Sequence, residues 1–524
     1  MPTVSPPRRT RLVAILTLLS ASPLAAQAPD PAAVRRDLTA WVAANQGPVV
    51  AELAELLRLP NLARDSVNIR RNAQHLLGLF RRRGFTAELL ETAGAPPAVY
   101  AELQVPGADR TLVLYAHYDG QPVDTARWST SPFDPVMFDA PAARGGRRIP
   151  LEGPPQGYPA EARIYARSAS DDKSPIIAVL AALDALRAGG RRPSVNLKIF
   201  LEGEEEAGSP HLGVMLARHR DRLQADGWLF LDGPVHQTRE PQVVFGVRGS
   251  LSMGITVYGP LRPLHSGHYG NWAPNPAADL VHLLAALRGP DGRVTAPGFY
   301  DGIDPIGEAE RRAFATIPPV ERLLLDELQL ARHEPQGATL AEALMLPAFN
   351  ITGLQVGGVG SQASNTIHTM ARAAVNIRLV AGQRPDRVRE VLEAHLQRLG
   401  WTLVHADPDE ATRRRAERLV RLDWTDGYPA TRVALDHPFS RAVVASTSAA
   451  VGREVIEVPT LGGSLPMYHF TEILGAPLIV LPMVNHDNNQ HAENENLRLQ
   501  NLWDGIVMYG GVLARIGFEW RGVP

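Results

Sequence analysis

Short apolar runs alternate with helix-spaced apolar residues along much of the chain. Residues 195–201, VNLKIFL, are mostly apolar and rich in β-branched side chains, a pattern typical of a buried strand. Residues 174–187 have the pattern of a buried helix, which Gly189 and Gly190 would end. Four further apolar runs are predicted to be strands: 86–90, 99–104, 111–116 and 228–231. Strands that alternate with helices predict a mostly parallel α/β sheet covered by helices on both faces.

The two ends of the chain fit the same architecture. Residues 31–84 show helical periodicity, and Gly84 is a suitable helix stop. After Asp436 we expect two helices and two strands: helices at 440–451 and 497–516, strands at 455–458 and 477–481. The larger α/β unit is therefore expected to be built from both ends of the chain.

The middle of the chain has a different order of elements. It predicts strands at 244–258, 348–354, 371–380 and 402–405, and helices at 276–288 and 386–399. The order β-α-β-β-α-β is that of a ferredoxin-like sandwich, which would be inserted into the larger unit. Residues 289–347 are expected to be an insertion with one helix, Val320–Arg332. Residues 135–163, rich in Gly, Pro and Arg, are expected to form a long surface loop.

The N-terminus predicts export rather than structure. Basic residues precede the apolar run 12–19, which is too short to span a bilayer, and small residues follow it. We therefore expect a signal peptide at 1–28 and a periplasmic or extracellular protein. The larger unit is predicted to consist of two segments, 29–243 and 436–524, with the smaller domain inserted between them at 244–435.

The amino-acid composition limits the possible partners and metal ligands. The formal net charge is −2 over 524 residues, which argues against nucleic acid or an anionic membrane as a partner. No later apolar run is long enough to predict a membrane span. Cysteine is absent, so any metal ion must be held by His, Asp and Glu.

The predicted strand 195–201 runs directly into a cluster of glutamates. Four carboxylates follow it in EGEEE, at positions 202, 204, 205 and 206. They repel one another unless a cation lies among them. Because adjacent residues leaving a strand point in different directions, Glu205 and Glu206 can have different roles, one binding metal and the other moving protons. A solvated acidic turn is the alternative interpretation.

Four other places put polar residues at predicted strand ends or a helix start, where ligands bind in an open α/β sheet. They are 117–119, 171–173, Asp232 and 486–491. His117 and Asp119 are two residues apart and so face one side, which would let Asp119 orient the imidazole. Asp171 opens a helix, and its two oxygens could bridge two metal ions. Each place alone is also typical of a turn or a helix cap, but together they suit a two-metal hydrolase.

Several motifs carry a resemblance to a known family. HYDGQP at 117–122, YARSASDDKSP at 165–175 and EGEEEAGS at 202–209 resemble motifs of the co-catalytic di-zinc aminopeptidase-like peptidases. FGVRG, LHSG, NIRLV, GGS and HAENE follow in the same order, at 245–249, 264–267, 376–380, 462–464 and 491–495. That group includes carnosinase, cytosolic non-specific dipeptidase, acetylornithine deacetylase and succinyl-diaminopimelate desuccinylase. HYDGQP and LHSG favour the dipeptidase branch. Ser168 departs from the pattern, since it stands where the family usually has Gly.

The resemblance implies that the larger unit is the catalytic domain and that the inserted domain is a lid and dimerisation domain. It also implies a role for each matching residue. One metal ion would be bound by His117, Asp171 and Asp232, and the other by Asp171, Glu206 and His491. Asp119 would orient His117, and Glu205 would be the general base. On the substrate side, His265 would stabilise the oxyanion in the partner subunit of a homodimer, Arg378 would hold a substrate carboxylate, and Gly463 and Ser464 would line the pocket.

The expected activity is hydrolysis of a dipeptide or short peptide with a free carboxylate. Two zinc ions, with manganese or cobalt as alternatives, would activate a water molecule, and Glu205 would move its proton. An N-acyl-amino-acid amidohydrolase uses the same chemistry and stays open, because the motifs do not distinguish an α-ammonium group from an acyl group. A non-catalytic binding protein of the same fold is disfavoured, because every expected ligand and the base are present.

Overall fold

A computed structural model describes residues 27–153, 157–334 and 338–520. All but the last two residues of the predicted signal peptide lie outside these ranges. Among the described residues, no helix is both long and apolar enough to cross a membrane.

Strands and helices follow one another through all three ranges. The strands are β1 Thr86–Leu90, β2 Ala98–Leu103, β3 Thr111–His117, β4 Val136–Phe138, β5 Arg148–Ile149, β6 Arg163–Tyr165, β7 Asn196–Glu202, β8 Gly227–Phe230, β9 Gln242–Val244, β10 Gly246–Val247, β11 Gly249–Tyr258, β12 Leu264–His265, β13 Ala348–Gln355, β14 Thr366–Ile367, β15 Met370–Leu379, β16 Thr402–Val404, β17 Leu419–Trp424, β18 Thr431–Arg432, β19 Ile456–Val458, β20 Leu478–Val480 and β21 Asn496–Arg498. The helices are α1 Pro31–Leu57, α2 Ser66–Arg82, α3 Lys173–Ala188, α4 Leu212–Arg218, α5 Arg220–Leu223, α6 Ser266–Tyr269, α7 Pro276–Leu287, α8 Glu308–Thr316, α9 Glu321–Glu327, α10 Leu340–Leu344, α11 Pro385–Arg398, α12 Glu410–Arg415, α13 Pro438–Val451, α14 Met467–Leu474 and α15 Leu499–Glu519. Short 3-10 turns lie at Ala142–Arg144, Glu205–Ala207 and Gly360–Gln362.

The larger sheet has eight strands in the order β1-β2-β7-β3-β8-β20-β9-β19. The central run β7-β3-β8-β20 is parallel, as the alternation of strands and helices predicts. At one edge, β1 and β2 pair antiparallel, because the short connection between them allows only a hairpin. Strands from both ends of the chain enter this sheet, and the expected α/β architecture is confirmed.

Helices cover both faces of the eight-stranded sheet. On one face α1, α3, α13 and α15 pack into an apolar core that includes Val50, Leu180 and Ile506. On the other face α4 and α14 cover a second core, in which Phe470 contacts the rings of Tyr115 and Phe230. Because strands buried on both faces have few polar positions, the central strands are nearly continuous apolar runs.

The smaller sheet has the order β13-β15-β11-β17-β16 and is antiparallel except for the pair β16 and β17. Helices α7 and α11 cover one face, with Leu283 and Leu392 among the core residues. Asn275 caps α7, accepting a hydrogen bond from the Ala277 amide at 3.0 Å, and Pro276 occupies the first turn. The result is the ferredoxin-like α+β unit expected from the element order.

Two expectations about irregular segments are wrong. Residues 135–163 are not one long loop, since β4 and β5 lie within them and join β6 and β21 in a four-stranded sheet. These strands have three and two residues, too few to show periodicity in sequence. Residues 289–347 contain α8, α9 and α10 rather than one helix. The helix predicted at Val320–Arg332 is only Glu321–Glu327, and Leu328 ends it.

Candidate metal centre

The carboxyl ends of three adjacent parallel strands bring polar residues to one edge of the large sheet. His117 is the last residue of β3 and lies opposite Glu202 in β7. The 3-10 turn that follows β7 carries Glu205 and Glu206, and Asp232 follows β8. The predicted ligands from these strands therefore meet because the strands run in the same direction.

Asp171 lies between two imidazoles. Its Oδ1 is 2.9 Å from His117 Nε2, and its Oδ2 is 3.0 Å from His491 Nε2. His117 is fully buried, whereas about half of the His491 side chain is exposed. The two oxygens of one carboxylate thus face two different sets of nitrogen and oxygen atoms that could bind a metal ion.

Each imidazole has a second carboxylate nearby. His117 Nε2 lies 3.8 Å from Asp232 Oδ2, and His491 Nε2 lies 3.3 Å from Glu206 Oε2. Donor atoms of His117, Asp171 and Glu206 lie within 4.8 Å of one another. The structure therefore brings together all five residues predicted to bind metal.

Asp119 connects the imidazole to the glutamate turn. It is fully buried, and its Oδ1 lies 3.4 Å from His117 Nδ1, the nitrogen that faces away from Asp171. Its two oxygens also accept hydrogen bonds from the backbone amides of Glu205 and Glu206, at 3.1 and 3.0 Å. One carboxylate therefore sets the orientation of His117 and the position of both glutamates.

The pKa values show how strongly these charges interact. Burial and the charge of Asp171 raise the pKa of Glu206 to about 7 and that of Asp232 to about 6. Burial raises the pKa of Glu205 well above its ordinary value, with Asp232 adding to the effect and His117 opposing it. Negative charge is thus crowded at this edge, so cations are needed to keep all the carboxylates ionised at neutral pH.

The pKa values of the two histidines are raised as well, which in their case favours the charged form. The hydrogen bond with Asp171 raises the pKa of His491 to about 9. Burial disfavours the charged form of His117, but the carboxylates of Asp119 and Asp171 raise its pKa well above the ordinary value. Two imidazoles balance only part of the charge, and a metal ion could take the place of their protons.

The donor set fits divalent metal ions. It consists of imidazole nitrogens and carboxylate oxygens, without thiolate, since the chain has no cysteine. Zinc accepts both donor types, as do manganese and cobalt. The orientation of His117 by a buried carboxylate is the arrangement that metal-binding histidines usually have.

Several contributors to the site were not predicted. Asp172 is fully buried, and a donor atom of it lies within 4.8 Å of donor atoms of His117 and Asp232. Gln121 donates to Glu206 Oε2 at 2.7 Å. Neither residue differs in sequence from an ordinary turn residue, so only the fold reveals their positions.

Glu495 holds the loop that carries Asp171. It is fully buried and accepts hydrogen bonds from the amides of Ser168, Ser170 and Asp171, at 2.9 to 3.0 Å. Arg167 pairs with the same carboxylate at 2.7 Å. The HAENE motif at 491–495 contains Glu495, so this signal was available. Ser168 has φ of 62°, in the left-handed region that favours glycine, the residue that the resemblance leads one to expect at this position.

The predicted substrate-side residues lie on both units. Arg378, on β15, donates from Nη1 to Ser464 Oγ at 2.6 Å. The carbonyl of Gly463 accepts a hydrogen bond from the amide of Arg248 at 3.2 Å. The structure therefore brings three of the four predicted substrate-side residues to one junction between the sheets.

His265 lies elsewhere. It is exposed on β12, where its Nδ1 accepts a hydrogen bond from the Gly267 amide at 3.1 Å. Its ring lies 4.7 Å from that of His268. Among the described residues, it forms no hydrogen bond or ion pair with a predicted metal ligand. Within one chain His265 is therefore separate from the cluster.

Comparison with known proteins decides the family. Residues 113–515 match the model of Peptidase family M20/M25/M40. The chain belongs to this family. The family, the enzyme class and the fold expected from sequence are thus confirmed.

Similar proteins span nearly the whole chain. The Cys-Gly metallodipeptidase DUG1 of Candida albicans is 25% identical over 493 residues, which are 89% of this chain and 94% of that protein. The human Beta-Ala-His dipeptidase is 24% identical over 537 residues, covering 95% and 96%. Among solved structures, the M20 family metallo-carboxypeptidase Sso-CP2 from Sulfolobus solfataricus has a TM-score of 0.73 and 27% identity, covering 90% of this chain and 99% of that one.

Proposed function

We propose that this M20 peptidase is a dinuclear zinc dipeptidase that acts on short peptides with a free carboxylate. The observation that carries the proposal is the position of Asp171, whose two oxygens lie 2.9 and 3.0 Å from His117 and His491. Full-length similarity to a Cys-Gly metallodipeptidase and a Beta-Ala-His dipeptidase supports the substrate class.

The ligand assignment follows the two sets around Asp171. His117, Asp171 and Asp232 would hold one ion, and Asp171, Glu206 and His491 the other. When bound, two such ions supply Lewis acidity, which polarises the scissile carbonyl and lowers the pKa of water. Manganese and cobalt accept the same donors, so zinc is the ion we propose rather than the only one that fits.

Glu205 is the proposed general base. Its amide is held by Asp119, and the charges of His117 and Asp232 both act on its pKa, which supports a position of the carboxylate beside the cluster. It would accept a proton from the attacking water and donate it to the leaving amine. Arg378 would bind the substrate carboxylate, with Ser464 holding the guanidinium in place.

A substrate panel tests the activity. Zinc-loaded protein should hydrolyse unblocked dipeptides faster than N-acetyl and N-succinyl amino acids, and amidation of the C-terminal carboxylate should reduce kcat/KM. A preference for N-acyl amino acids would favour the amidohydrolase alternative. No hydrolysis of any compound by protein with bound metal would favour a non-catalytic binding protein.

A homodimer through the smaller sheet belongs to the same proposal. Strand β13 lies at the sheet edge, with Ile351 41% and Leu354 63% exposed. Trp272, close to His265 in the chain, is 79% exposed. An apolar edge strand is a surface that pairs with a second chain. In such a dimer His265 would reach the partner's cluster and stabilise the oxyanion.

Complementation tests the shared site. Chains with His265→Ala and chains with Glu205→Gln should each have little activity, and co-refolded mixtures should regain some of it. One site of a mixed dimer would then have an intact base and an intact His265. No recovery in verified mixed dimers would mean that His265 does not act across the interface.

Export is also proposed. Its support is the basic segment at Arg8–Arg11 followed by the apolar run 12–19. N-terminal sequencing of protein recovered from the periplasm or medium of a bacterial host would test it. A mature N-terminus near residue 28 is expected, and full-length protein retained in the cytoplasm would contradict the proposal.

A further inference from the structure

A large cavity lies beside the proposed carboxylate-binding residues. It has a volume of about 670 Å³, within the range of roughly 300–1,000 Å³ typical of small-molecule sites. Its walls include Arg288, residues 290–293, part of α10, the start of β13 and Arg248. Leu344 of α10 lines it and lies close to Gly462, next to Gly463 and Ser464.

The register of the smaller sheet places this cavity along the β13 edge, next to Arg378. Ala348 and Asn350 line the cavity, and they lie opposite Arg378 and Asn376 across the strands β13 and β15. Directly opposed residues of neighbouring strands point to the same face. Arg378 therefore projects from the same face as Ala348 and Asn350, whereas Phe349, which also lines the cavity, faces the helix-covered side.

Arg248 contacts both the loop beside Arg378 and the cavity. Its amide bonds to Gly463 in the loop that contacts Arg378, and its side chain lines the cavity. Only 7% of the residue is exposed. Arg248 directly precedes Gly249, which pairs with Leu379, the residue after Arg378 on the neighbouring strand. Burial and the charge of Arg378 lower the pKa of the Arg248 guanidinium to about 10.

Neither cation is neutralised by a carboxylate in the part of the chain that the structure describes. Among the described residues, no acidic side chain forms an ion pair with Arg248 or Arg378, although Arg248 donates to the carbonyl of Leu346. Arg248 Nε is also buried and has no hydrogen-bond partner among the described residues. Two adjacent guanidiniums, one of them buried, are costly unless an anion binds between them.

The other charged residues that line the cavity leave its net charge positive. Glu334 is engaged by Arg288 at 2.6 Å and by Arg332 at 4.0 Å. The guanidinium of Arg293 lies 4.6 Å from the centre of the Tyr300 ring, and Asp291 accepts the amide of Arg293. With four arginines and two acids in its lining, the cavity is cationic.

We infer that this cavity receives the side chain of the C-terminal substrate residue and that Arg248 selects an acidic one, aspartate or glutamate. The inference rests on the proposed dipeptidase function. Arg378 would bind the α-carboxylate and Arg248 the side-chain carboxylate, so that two anions neutralise two cations. Arg248 is thus a specificity-determining residue rather than a second anchor for the same carboxylate.

The test compares two substrates of nearly equal shape. Zinc-loaded enzyme should have a kcat/KM for alanylglutamate at least about tenfold higher than for alanylglutamine, because a hydrogen bond to a charged group contributes at least that factor. Arg248→Gln should abolish the preference, mainly through KM for alanylglutamate, and Arg248→Lys should retain some of it. Arg372→Gln is the control, since Arg372 is exposed on the same strand as Arg378.

Binding of the free amino acids separates this inference from the activity. Equilibrium dialysis with zinc-loaded protein should show tighter binding of L-glutamate than of L-glutamine, and Arg248→Gln should remove the difference. That result would support the inference even if no dipeptide were hydrolysed, an outcome that would overturn the dipeptidase proposal alone. Equal binding of the two amino acids, or an equal loss of both substrates in Arg248→Gln and Arg248→Lys, would overturn the inference.

Discussion

Asp171 Oδ2 lies 3.0 Å from His491 Nε2, although the two residues are far apart along the chain. The contact joins the loop before α3 to the segment before β21. The other oxygen of Asp171 faces His117. The contact with His491 therefore adds a second set of possible metal ligands next to the set that contains His117. Each set has its own imidazole, so substitutions can affect one set without removing the other.

Loss of His491 should remove one metal ion. Purified protein should bind close to two divalent ions per chain, and His491→Ala close to one, because only one of the two sets loses its nitrogen donor. Mass spectrometry of metals on dialysed protein measures the ratio. His405→Ala is a matched control, since His405 is 62% exposed on the smaller sheet. Unchanged stoichiometry in His491→Ala would contradict the assignment.

Substitutions of the two neighbouring glutamates should have different effects, one on the rate of hydrolysis and the other on metal binding. Glu205→Gln keeps the size of the side chain but cannot accept a proton, so kcat should fall by roughly 100- to 10,000-fold with both ions retained. Glu206→Gln should lose metal, because Glu206 lies 3.3 Å from His491. If Glu205→Gln lost metal and Glu206→Gln retained it, the two roles would be reversed.

Replacing Asp119 should weaken metal binding indirectly. Asn keeps one acceptor oxygen, but its amide group cannot accept the second of the two backbone hydrogen bonds now made by Asp119. Loss of such an orienting carboxylate typically costs about 10- to 100-fold in metal affinity or activity. Zinc titration in competition with a chelator measures the affinity of Asp119→Asn. Asp124→Asn, exposed in the same segment, should match the wild type.

An acid-sensitive ion-pair cluster should stabilise the segment before His491. Asp487 contacts Arg163 at 2.7 Å and Arg498 at 3.2 Å, and both arginines are buried. Burial raises the pKa of Asp487, but the hydrogen bonds from Arg163 and Asn485 outweigh it and hold the pKa below the ordinary 3.8. Because a third of the Asp487 side chain is exposed, solvent screening limits the loss in Asp487→Asn to about 2 kcal/mol at pH 7.

The sign of the pH dependence follows from the lowered pKa. The stabilising charge is fully present above pH 3.8 and is lost as pH falls below it, since the unfolded chain takes up the proton first. The difference in unfolding free energy between wild type and Asp487→Asn should therefore be smaller at pH 3 than at pH 7. Urea unfolding at both pH values measures it, and a larger difference at pH 3 would contradict the prediction.

Much of the fold and the cluster could be predicted because apolar runs end where polar residues begin. His117 and Asp232 each follow a run long enough to show as a strand, and parallel strands bring such ends together. By contrast, β4 and β5 are too short to show a pattern. The burial of Asp172 against His117 depends on long-range packing within the larger unit, and the meeting of Arg248 with Arg378 depends on the register between β11 and β15. Local sequence contains no signal for contacts of that kind.

The most direct test of the dinuclear site is diffraction at the zinc absorption edge from crystals of zinc-loaded, active protein. Two anomalous peaks about 3.5–4 Å apart are expected, one on each side of Asp171, with His117 bound to one ion and His491 to the other. A single peak in fully active protein, or two peaks that do not share Asp171, would contradict the account.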